Sequence, residues 1–456
     1  MSLSRKEYLI GKYNVAGPRY TSYPTVPFWD VANFNVEVWK KSLATFGKEE
    51  ISENGLSIYI HLPYCESLCT FCACHKRITK NHSVEDSYID ALLIEWKMYL
   101  DILKIKPIIK EIHLGGGTPS FFSPENLKRL IDGILESSTV APEHAFSFEG
   151  HPNNTTFEHL KNLYEVGFRR VSFGVQDYDP VVQKAIHRIQ PFEAVKNVTQ
   201  WAREIGYTSI SHDLVFGLPF QQLSSIEDTI KKTLELHPER IAFYSYAHVP
   251  WIKGVGQRGF DEADLPTPEK KRELYELGLE LFENAGYSEV GMDHFALPGD
   301  ELFEAMKNDT LHRNFMGYTT QSAKAMIGLG ASSISDLWGA FGQNAKDVEK
   351  YKEMVFSGNL PVEKGHLLSE TDLFVRRQIL NIMCNLHTEW KETDMQLIDF
   401  EEIEKNLKGF EEDEILIRTE NGFKVTERAF VRNISMAFDQ YLDLKNIGEK
   451  MFSKTI

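Results

Sequence analysis

The sequence has little cysteine, no long apolar segment and a deficit of basic residues. Its 456 residues include five cysteines, too few and too clustered for a disulfide scaffold. It contains no apolar run of about 18 residues, so no membrane span is predicted. With 66 Asp and Glu against 50 Lys and Arg, the net charge of −16 opposes nonspecific attraction to nucleic acid or anionic membranes. Met1 to Ile10 lacks an apolar core of signal-peptide length, so export is not expected.

The rest of the composition, 42% hydrophobic and 25% charged, is that of an ordinary folded protein. Short β-branched and aromatic runs alternate with helical patterns such as Val84 to Leu103 and Pro124 to Leu135, which is typical of a parallel α/β fold. The candidate strands are Ser57 to Leu62, Glu111 to Leu114, Ala145 to Glu149, Arg170 to Val175, Ile210 to Phe216, Arg240 to Tyr246 and Tyr287 to Met292. This spacing fits both a doubly wound sheet and a full or partial barrel.

Two flanking regions differ from this core. Residues 1–55 contain GPRYTSYPTVPFW (Gly17 to Trp29), rich in turn formers and aromatics, and are predicted to form an arm packed on another part of the chain. In residues 360–456, Ser369 caps a predicted helix through Asn385, and Ile415 to Thr426 is predicted to be a hairpin. We therefore expect an N-terminal arm (1–55), a catalytic domain (56–350) and a mostly helical, winged-helix-like C-terminal domain (360–456).

Four of the five cysteines fall within ten residues, directly after the first candidate strand: Cys65, Cys69, Cys72 and Cys74. Loops this short would strain disulfides, so the cluster indicates one metal or iron-sulfur centre in a reducing compartment, which predicts a cytoplasmic protein. Three thiolates at this compact spacing favour an iron-sulfur cluster with one iron open to another ligand. A zinc site completed by Cys74 or His75, or a buried helix stripe, is the alternative. Cys384 stands alone in an apolar stretch and is expected to be buried and inert.

Other polar residues interrupt or follow candidate strands near their carboxyl ends. Glu149, Gln176 and Asp213 lie at such positions, where parallel α/β folds build their ligand sites. The alternative for each one alone is a strand end that meets solvent. The Gly115-Gly-Gly-Thr-Pro119 segment follows another candidate strand and would let a ligand approach the backbone closely, although by spacing alone it is only a tight turn.

The C-x3-C-x2-C motif after a strand resembles the signature of the radical S-adenosylmethionine (SAM) superfamily. Within it, the chain resembles the oxygen-independent coproporphyrinogen III oxidases. The matching segments are Tyr59 to Tyr64 (YIHLPY), the additional Cys74, Lys12 to Pro24 (KYNVAGPRYTSYP) and Leu311 to Thr320 (LHRNFMGYTT).

The resemblance implies a partial (β/α) parallel barrel of radical SAM type. It also implies a [4Fe-4S] cluster bound by Cys65, Cys69 and Cys72, with SAM on the fourth iron and its reductive cleavage giving a 5'-deoxyadenosyl radical. Positions assigned to a first SAM match Tyr59, Gly116 and Glu149. Those of a second SAM or its shared surroundings match Phe71, Gly117, Thr118, Gln176, Arg188, Asp213, Ala247 and Ile334. Taken singly, each of these residues could equally serve an ion pair or packing. The chain departs from the family pattern at Gly150-His151 and at His187, positions that alter the local charge.

The function that the resemblance implies is oxidative decarboxylation of coproporphyrinogen III to protoporphyrinogen IX by a radical SAM oxidoreductase (coproporphyrinogen dehydrogenase). A tetrapyrrole with four propionates needs local cations, for which Arg19 and Arg313 are the candidates; a salt bridge is the alternative for each. Cys74 is expected either to take part in turnover or to pack beside the cluster. The expected partners are the tetrapyrrole and an electron donor, with a monomer as the oligomeric state. A haem chaperone of the same superfamily, or an enzyme acting on another tetrapyrrole, is the alternative function.

Overall fold

The structure is a computed structural model that describes residues 5–443 apart from 251–255, 258 and 322, together with residues 452 and 454. The α-helices are α1 (Arg5–Tyr13), α2 (Val36–Ser42), α3 (Lys48–Asn54), α4 (Val84–Leu103), α5 (Pro124–Glu136), α6 (Phe157–Glu165), α7 (Pro180–Ala185), α8 (Phe192–Ile205), α9 (Leu223–Glu235), α10 (Pro268–Asn284), α11 (Glu301–Lys307), α12 (Val348–Phe356), α13 (Glu370–Asn385), α14 (Phe400–Glu412) and α15 (Val431–Met436).

The strands are β1 (Leu56–Leu62), β2 (Tyr64–Cys65), β3 (Arg77–Ile78), β4 (Ile108–Gly116), β5 (Thr139–Gly150), β6 (Phe168–Gln176), β7 (Ser209–Phe216), β8 (Arg240–Ser245), β9 (Ser288–Gly291), β10 (His294–Ala296), β11 (His312–Asn314), β12 (Gly317–Thr319), β13 (Met326–Leu329), β14 (Ile334–Asp336), β15 (Ala340–Asn344), β16 (Val362–Leu367), β17 (His387–Glu389), β18 (Leu416–Thr419) and β19 (Gly422–Val425). A π-helical stretch (Leu43–Gly47) joins α2 to α3, and 3-10 turns cover Val26–Phe28, Pro119–Phe121, Glu262–Asp264, Glu392–Gln396 and Arg428–Phe430.

A mixed sheet of twelve strands forms the centre, in the order β16-β15-β14-β13-β1-β4-β5-β6-β7-β8-β10-β9. The seven strands from β13 to β8 run parallel, and the outer strands pair antiparallel. From β1 to β8 the strands are added in chain order with helices between them, as in a barrel rather than a doubly wound sheet with a switch point. The order of the described strands does not close on itself, which confirms the expected partial barrel.

The sequence explains the layers of this domain. β1 (LSIYIHL) is buried along its whole length, as expected for a parallel strand covered on both faces. The α5 helix buries Leu127, Leu130, Ile131 and Ile134, spaced three and four residues apart along one face. Its predicted start is confirmed, because Ser123 caps the helix and Pro124 occupies the first turn.

One predicted strand differs from the expected parallel pattern. Tyr287 to Met292 becomes β9, an edge strand that pairs antiparallel with β10. Only Met292 and Asp293 separate the two strands, and a connection this short permits an antiparallel hairpin but not a crossover to a parallel neighbour.

The C-terminal region combines α13, α14 and α15 with the antiparallel sheet β17-β19-β18, which agrees with the expected winged-helix-like arrangement. The predicted capping box between Ser369 and Asp372 is present, and Thr419 pairs with Gly422 in the predicted hairpin. None of the described helices is long and apolar enough to cross a bilayer.

The N-terminal arm packs in two places. Leu9, Tyr13, Tyr20 and Tyr23 join the core of the C-terminal region, whereas Trp39 and other residues of α2 and α3 join the core beside the main sheet. Hydrophobic burial therefore fastens the two ends of the chain together.

Glu95 is fully buried on α4 and joins three neighbouring elements. It accepts hydrogen bonds from the Tyr351 hydroxyl (2.6 Å), the Asn344 side chain (2.6 Å) and the Gly330 amide (2.9 Å). Burial raises the pKa of Glu95 to about 7, an effect that the three donors oppose.

We expect Glu95→Ala to lower the free energy of unfolding by about 3 kcal/mol, because it leaves buried donors without an acceptor. The folded pKa exceeds the unfolded value, so this carboxyl group contributes most below its unfolded pKa and progressively less as the pH rises through about 7. The loss should therefore be larger at about pH 5 than at about pH 8. Urea denaturation followed by circular dichroism measures it. Asp101→Ala, an exposed site on the same helix, is the control, with an expected change of about 0.5 kcal/mol or less. Equal effects of the two substitutions would contradict this role.

Candidate functional site

The candidate ligand cysteines lie on one loop at the carboxyl edge of the sheet. This loop leaves β1 and is closed at its base by β2 and β3, which place Cys65 opposite Ile78. The Thr79 amide donates a 2.9 Å hydrogen bond to the Cys65 carbonyl. The loop therefore holds Cys69 and Cys72 above the same strand ends as Cys65.

Cations border this cysteine loop. A guanidinium nitrogen of Arg188 lies 3.7 Å from the Cys69 sulfur, and Lys76 donates to the carbonyls of Cys72 (3.1 Å) and Cys74 (3.2 Å). Nearby positive charge favours the thiolate form that ligates metals.

The thiols differ in acidity. A hydrogen bond from Cys74 lowers the pKa of Cys72 to about 6, and the same contact raises the pKa of Cys74 well above its ordinary value. Burial raises the pKa of Cys65 to about 11, although the Thr118 hydroxyl, 3.2 Å from its sulfur, acts in the other direction.

Within the described ranges, no three His, Cys, Asp or Glu side chains stand in the geometry of a formed metal site. The chemistry of the donor set nevertheless fits an iron-sulfur cluster, since three thiols share one loop beside two cations. The Arg188 Nε is also buried without a hydrogen-bond partner among the described residues, which leaves a donor beside Cys69.

The glycine turn packs directly against the start of the cysteine loop. The Gly117 amide donates to the Leu62 carbonyl at 2.9 Å. A Cβ at Gly117 would meet the carbonyl of Pro63 at 2.6 Å. Gly116 has φ +114°, and a Cβ there would meet the His61 ring at 2.6 Å. The two segments can pack this closely only because these residues are glycines. The absence of side chains leaves the backbone of the turn open to a ligand.

Tyr59 and Glu149 converge on the same turn. A Cβ at Gly115 would lie 3.0 Å from a Glu149 oxygen and 3.2 Å from the Tyr59 ring. The side chain of Glu149 is 48% exposed, and an imidazole nitrogen of His113 lies 3.4 Å from it. Desolvation raises the pKa of Glu149, but hydrogen bonds from His113 and the Gly116 amide outweigh it and hold the pKa below its ordinary value. A carboxylate is therefore available at the turn to accept hydrogen bonds from an ammonium group or a hydroxyl group.

Arg188 and Asp213 lie across the neighbouring strands. Arg188 donates to the Gly174 carbonyl at 2.6 Å, and Gly174 pairs with Asp213 in the sheet. The Ser172 hydroxyl donates to Asp213 at 2.7 Å. Burial raises the pKa of Asp213 to about 6. Gln176 ends β6 next to this group, with φ +67°.

Phe71 and Ala247 are joined by a residue that the sequence did not single out. Gln257 is buried and donates to the carbonyls of Phe71 (3.0 Å) and Ala247 (2.9 Å). Ile334 lies on the other side of the site, where its carbonyl approaches Gly328, the sheet partner of Tyr59.

Arg19 and Arg313 lie together, but at the junction of the arm with β9 and β10. Arg19 forms an ion pair with Asp293, so the salt bridge expected as an alternative is present. Arg313 is buried and donates to the Tyr20 carbonyl at 2.9 Å.

Besides Gln257, three polar residues at the site are not singled out by the sequence. His61 is buried and hydrogen-bonds the Tyr59 hydroxyl at 3.0 Å, His113 pairs with Tyr59 in the sheet, and Ser172 holds Asp213. Their positions in the strands could have revealed them. Alternate residues of a strand lie on the same face, so polar residues close to the identified ones along a strand can share their face.

Three comparisons with known proteins identify relatives of this chain. The model of the Radical SAM superfamily matches residues 59–233. The oxygen-independent coproporphyrinogen III oxidase of Helicobacter pylori J99 is 41% identical over 98% of both chains, and that of Escherichia coli K12 is 36% identical over 98% of both. The solved Escherichia coli coproporphyrinogen III oxidase (HemN), described as a radical SAM enzyme, superposes with a TM-score of 0.87 at 32% identity, covering 95% of this chain and 99% of that one.

The chain belongs to the oxygen-independent coproporphyrinogen III oxidase family. Its membership confirms the resemblance seen in the sequence and makes the protein a radical SAM oxidoreductase that uses a [4Fe-4S] cluster and SAM.

For this family member we expect Gly116→Ala to abolish most 5'-deoxyadenosine formation while leaving the iron content near that of the wild type. The added methyl group collides with His61 and strains the φ +114° backbone, whereas the cysteines lie on a separate segment. Iron analysis and chromatography of the reaction with dithionite and SAM measure both quantities. Gly11→Ala, where a Cβ meets nothing within 4 Å, is the control. Equal loss of iron in Gly116→Ala would instead indicate general misfolding.

Proposed function

We propose that this chain converts two propionates of coproporphyrinogen III to vinyl groups, giving protoporphyrinogen IX without oxygen in haem biosynthesis. The observation that carries the proposal is the cysteine loop packed on the glycine turn, beside Glu149 and Asp213, in a chain of this family. For each vinyl group formed, a propionate loses one hydrogen atom from its β-carbon, its carboxylate as carbon dioxide, and one electron to an acceptor.

The cluster and SAM, when bound, supply a 5'-deoxyadenosyl radical that can take up this hydrogen atom. The chain's own residues bind, orient and shield the reactants. Cys65, Cys69 and Cys72 would ligate the cluster, and the cations Arg188 and Lys76 beside them would favour their thiolate forms.

The remaining residues of the site would hold SAM. Glu149, with its lowered pKa, can accept from the ammonium group, and the backbone at Gly116 leaves room for close approach. Asp213 can accept from ribose hydroxyls, and Arg188 can pair with a carboxylate. We propose two SAM sites. The first is formed by Tyr59, Gly116 and Glu149, and the second, with shared surroundings, by Phe71, Gly117, Thr118, Gln176, Arg188, Asp213, Ala247 and Ile334.

Arg19 and Arg313 are proposed to attract the substrate's carboxylates. Arg19 keeps 32% of its side chain exposed although it pairs with Asp293. Arg313 is buried and fixes the arm through Tyr20, so its contribution would be to the local potential rather than through direct contact.

Cys74 is proposed to act in turnover. It is solvent-exposed, so a role in hydrophobic packing has little support.

We further infer a cytoplasmic monomer that receives electrons from a separate donor. Thiols clustered on one loop suit a reducing compartment. We propose that the chain is divided into an arm (1–55), a catalytic domain (56–350) and a C-terminal domain (360–456). The arm would join the other two units through its two separate sets of apolar contacts.

The reaction is tested by anaerobic turnover of the reconstituted protein with reductant, SAM, coproporphyrinogen III and an electron acceptor. We expect protoporphyrinogen and about one 5'-deoxyadenosine per vinyl group, by the stoichiometry above. Cys72→Ala should lose the cluster and both products, whereas Cys384→Ala, at a buried thiol outside the loop, should keep them. Deoxyadenosine without the divinyl product would mean another substrate. Haem binding with neither product would favour the chaperone.

Cys74→Ser should retain the iron content of the wild type but form product at least about tenfold more slowly, because an alcohol O–H is stronger and less acidic than a thiol S–H and so gives up a hydrogen atom or a proton less readily. Iron analysis and the turnover assay measure the two effects. Full product formation by this variant would show that Cys74 is dispensable.

A further inference from the structure

Lys271 lies in the first turn of α10, above the carboxyl ends of two central strands. Its ammonium group donates to the carbonyl of Tyr246, just after β8, at 2.7 Å. Its side chain also covers Gly217, just after β7, where a Cβ would lie 2.8 Å from Cε of the lysine. Lys271 is therefore at the same edge of the sheet as Asp213 and the glycine turn.

Other cations gather around Lys271. Burial, followed by repulsion from Arg19, lowers the pKa of Lys271 to about 8, with Asp293 opposing this effect and Arg432 adding to it. Arg432 is buried and lies in the fields of Arg19, Arg313 and Asp293 as well. Three cations, Lys271, Arg19 and Arg432, thus have Asp293 as a neighbouring carboxylate, and Arg313 lies near Arg432, in a chain whose net charge is −16.

Two of these cations hold the backbone of the N-terminal arm. Arg432 donates to the carbonyls of Gly17 and Pro18, and Arg313 donates to the carbonyl of Tyr20. Together they clamp the backbone on both sides of Arg19. These hydrogen bonds give the guanidinium N–H groups acceptors but do not neutralise the positive charges, because carbonyl groups are neutral.

Lys271 is placed differently. Within the part of the chain that the structure describes, its hydrogen-bond partner is the Tyr246 carbonyl, and an ammonium group has three donors. The side chain is only partly buried, so an anion can reach it.

The cation group adjoins the cofactor site. Tyr244 on β8 pairs with Val215, two residues along β7 from Asp213, and its hydroxyl lies 3.3 Å from a ring nitrogen of His294, the residue after Asp293. A ligand held by Lys271 would therefore lie beside the residues proposed to hold SAM.

We propose that Lys271, together with Arg19, binds a propionate carboxylate of the tetrapyrrole substrate. This inference rests on the proposed function. A substrate with four carboxylates is repelled by the chain as a whole, so its binding requires a local excess of positive charge. A lysine at the strand ends supplies that excess next to the reaction site.

The experiment measures binding of coproporphyrin III, the stable fluorescent porphyrin with the same four propionates, to the anaerobic holoenzyme. Lys271→Gln keeps a donor for the Tyr246 carbonyl but removes the charge, and should weaken binding by about ten- to a hundredfold, the range for a lost hydrogen bond to a charged group. Lys271→Arg should bind within about threefold of the wild type, because the charge remains. Lys270→Gln, which alters the neighbouring lysine paired with Glu273, is the matched control.

Turnover of the same variants separates this inference from the proposed reaction. We expect Lys271→Gln to raise KM by a similar factor while kcat changes by about threefold or less, since the lost interaction is made in both ground and transition states. Binding and KM equal to those of Lys270→Gln, in a preparation whose wild type forms the divinyl product, would overturn the role of Lys271 and leave the reaction standing. If the wild type formed no product, the reaction would be wrong, yet weaker porphyrin binding by Lys271→Gln alone would still support the carboxylate site.

Discussion

The parallel pairing of β1 with β4 is the constraint on which the site depends. Its register sets Leu62 opposite Gly116, so the cysteine loop and the glycine turn leave adjacent strands at the same level. The Gly117 amide then bonds the Leu62 carbonyl, in a space that excludes any Cβ. A one-residue slip would turn the side chains of β1 to the opposite face and separate Tyr59 from Glu149. Backbone pairing thus brings ligands distant in sequence together before any cofactor binds.

The two ends of the chain complete this arrangement. Tyr20 donates to Asp439 at 2.9 Å, and Arg432 holds the carbonyls of Gly17 and Pro18. The arm is fixed by residues of the C-terminal region while it delivers Arg19 to the edge of the catalytic sheet. If Arg19 binds substrate as proposed, the C-terminal region would support that binding by holding the arm in place.

The sequence predicted the parts of the site that local patterns encode. Apolar runs located the strands, and spacing alone brought Cys65, Cys69 and Cys72 together on a loop. Long-range pairing decides which strands are neighbours. It therefore also decides which polar residues come together. Lys271 illustrates the limit: on α10 it has the pattern of a solvent-exposed lysine beside Lys270, and only the packing of α10 over β7 and β8 distinguishes the two. Gln257 is likewise an ordinary loop glutamine until Phe71 and Ala247 are brought to it.

The charges at the strand ends are separated in a way that suits two reactants of opposite sign. Glu149 and Asp213 place carboxylates over β5 and β7, whereas Arg19 and Lys271 place cations beyond β8. On the proposed assignment, the sulfonium and ammonium groups of SAM would lie on the first side, where Arg188 could pair with its carboxylate, and the polycarboxylate substrate would lie on the second. Each ligand is repelled by the charges that attract the other. The arrangement that attracts both ligands would therefore also determine which of them lies nearer the cysteine loop. Orientation of the substrate can therefore follow from electrostatics in a protein whose overall charge opposes its binding.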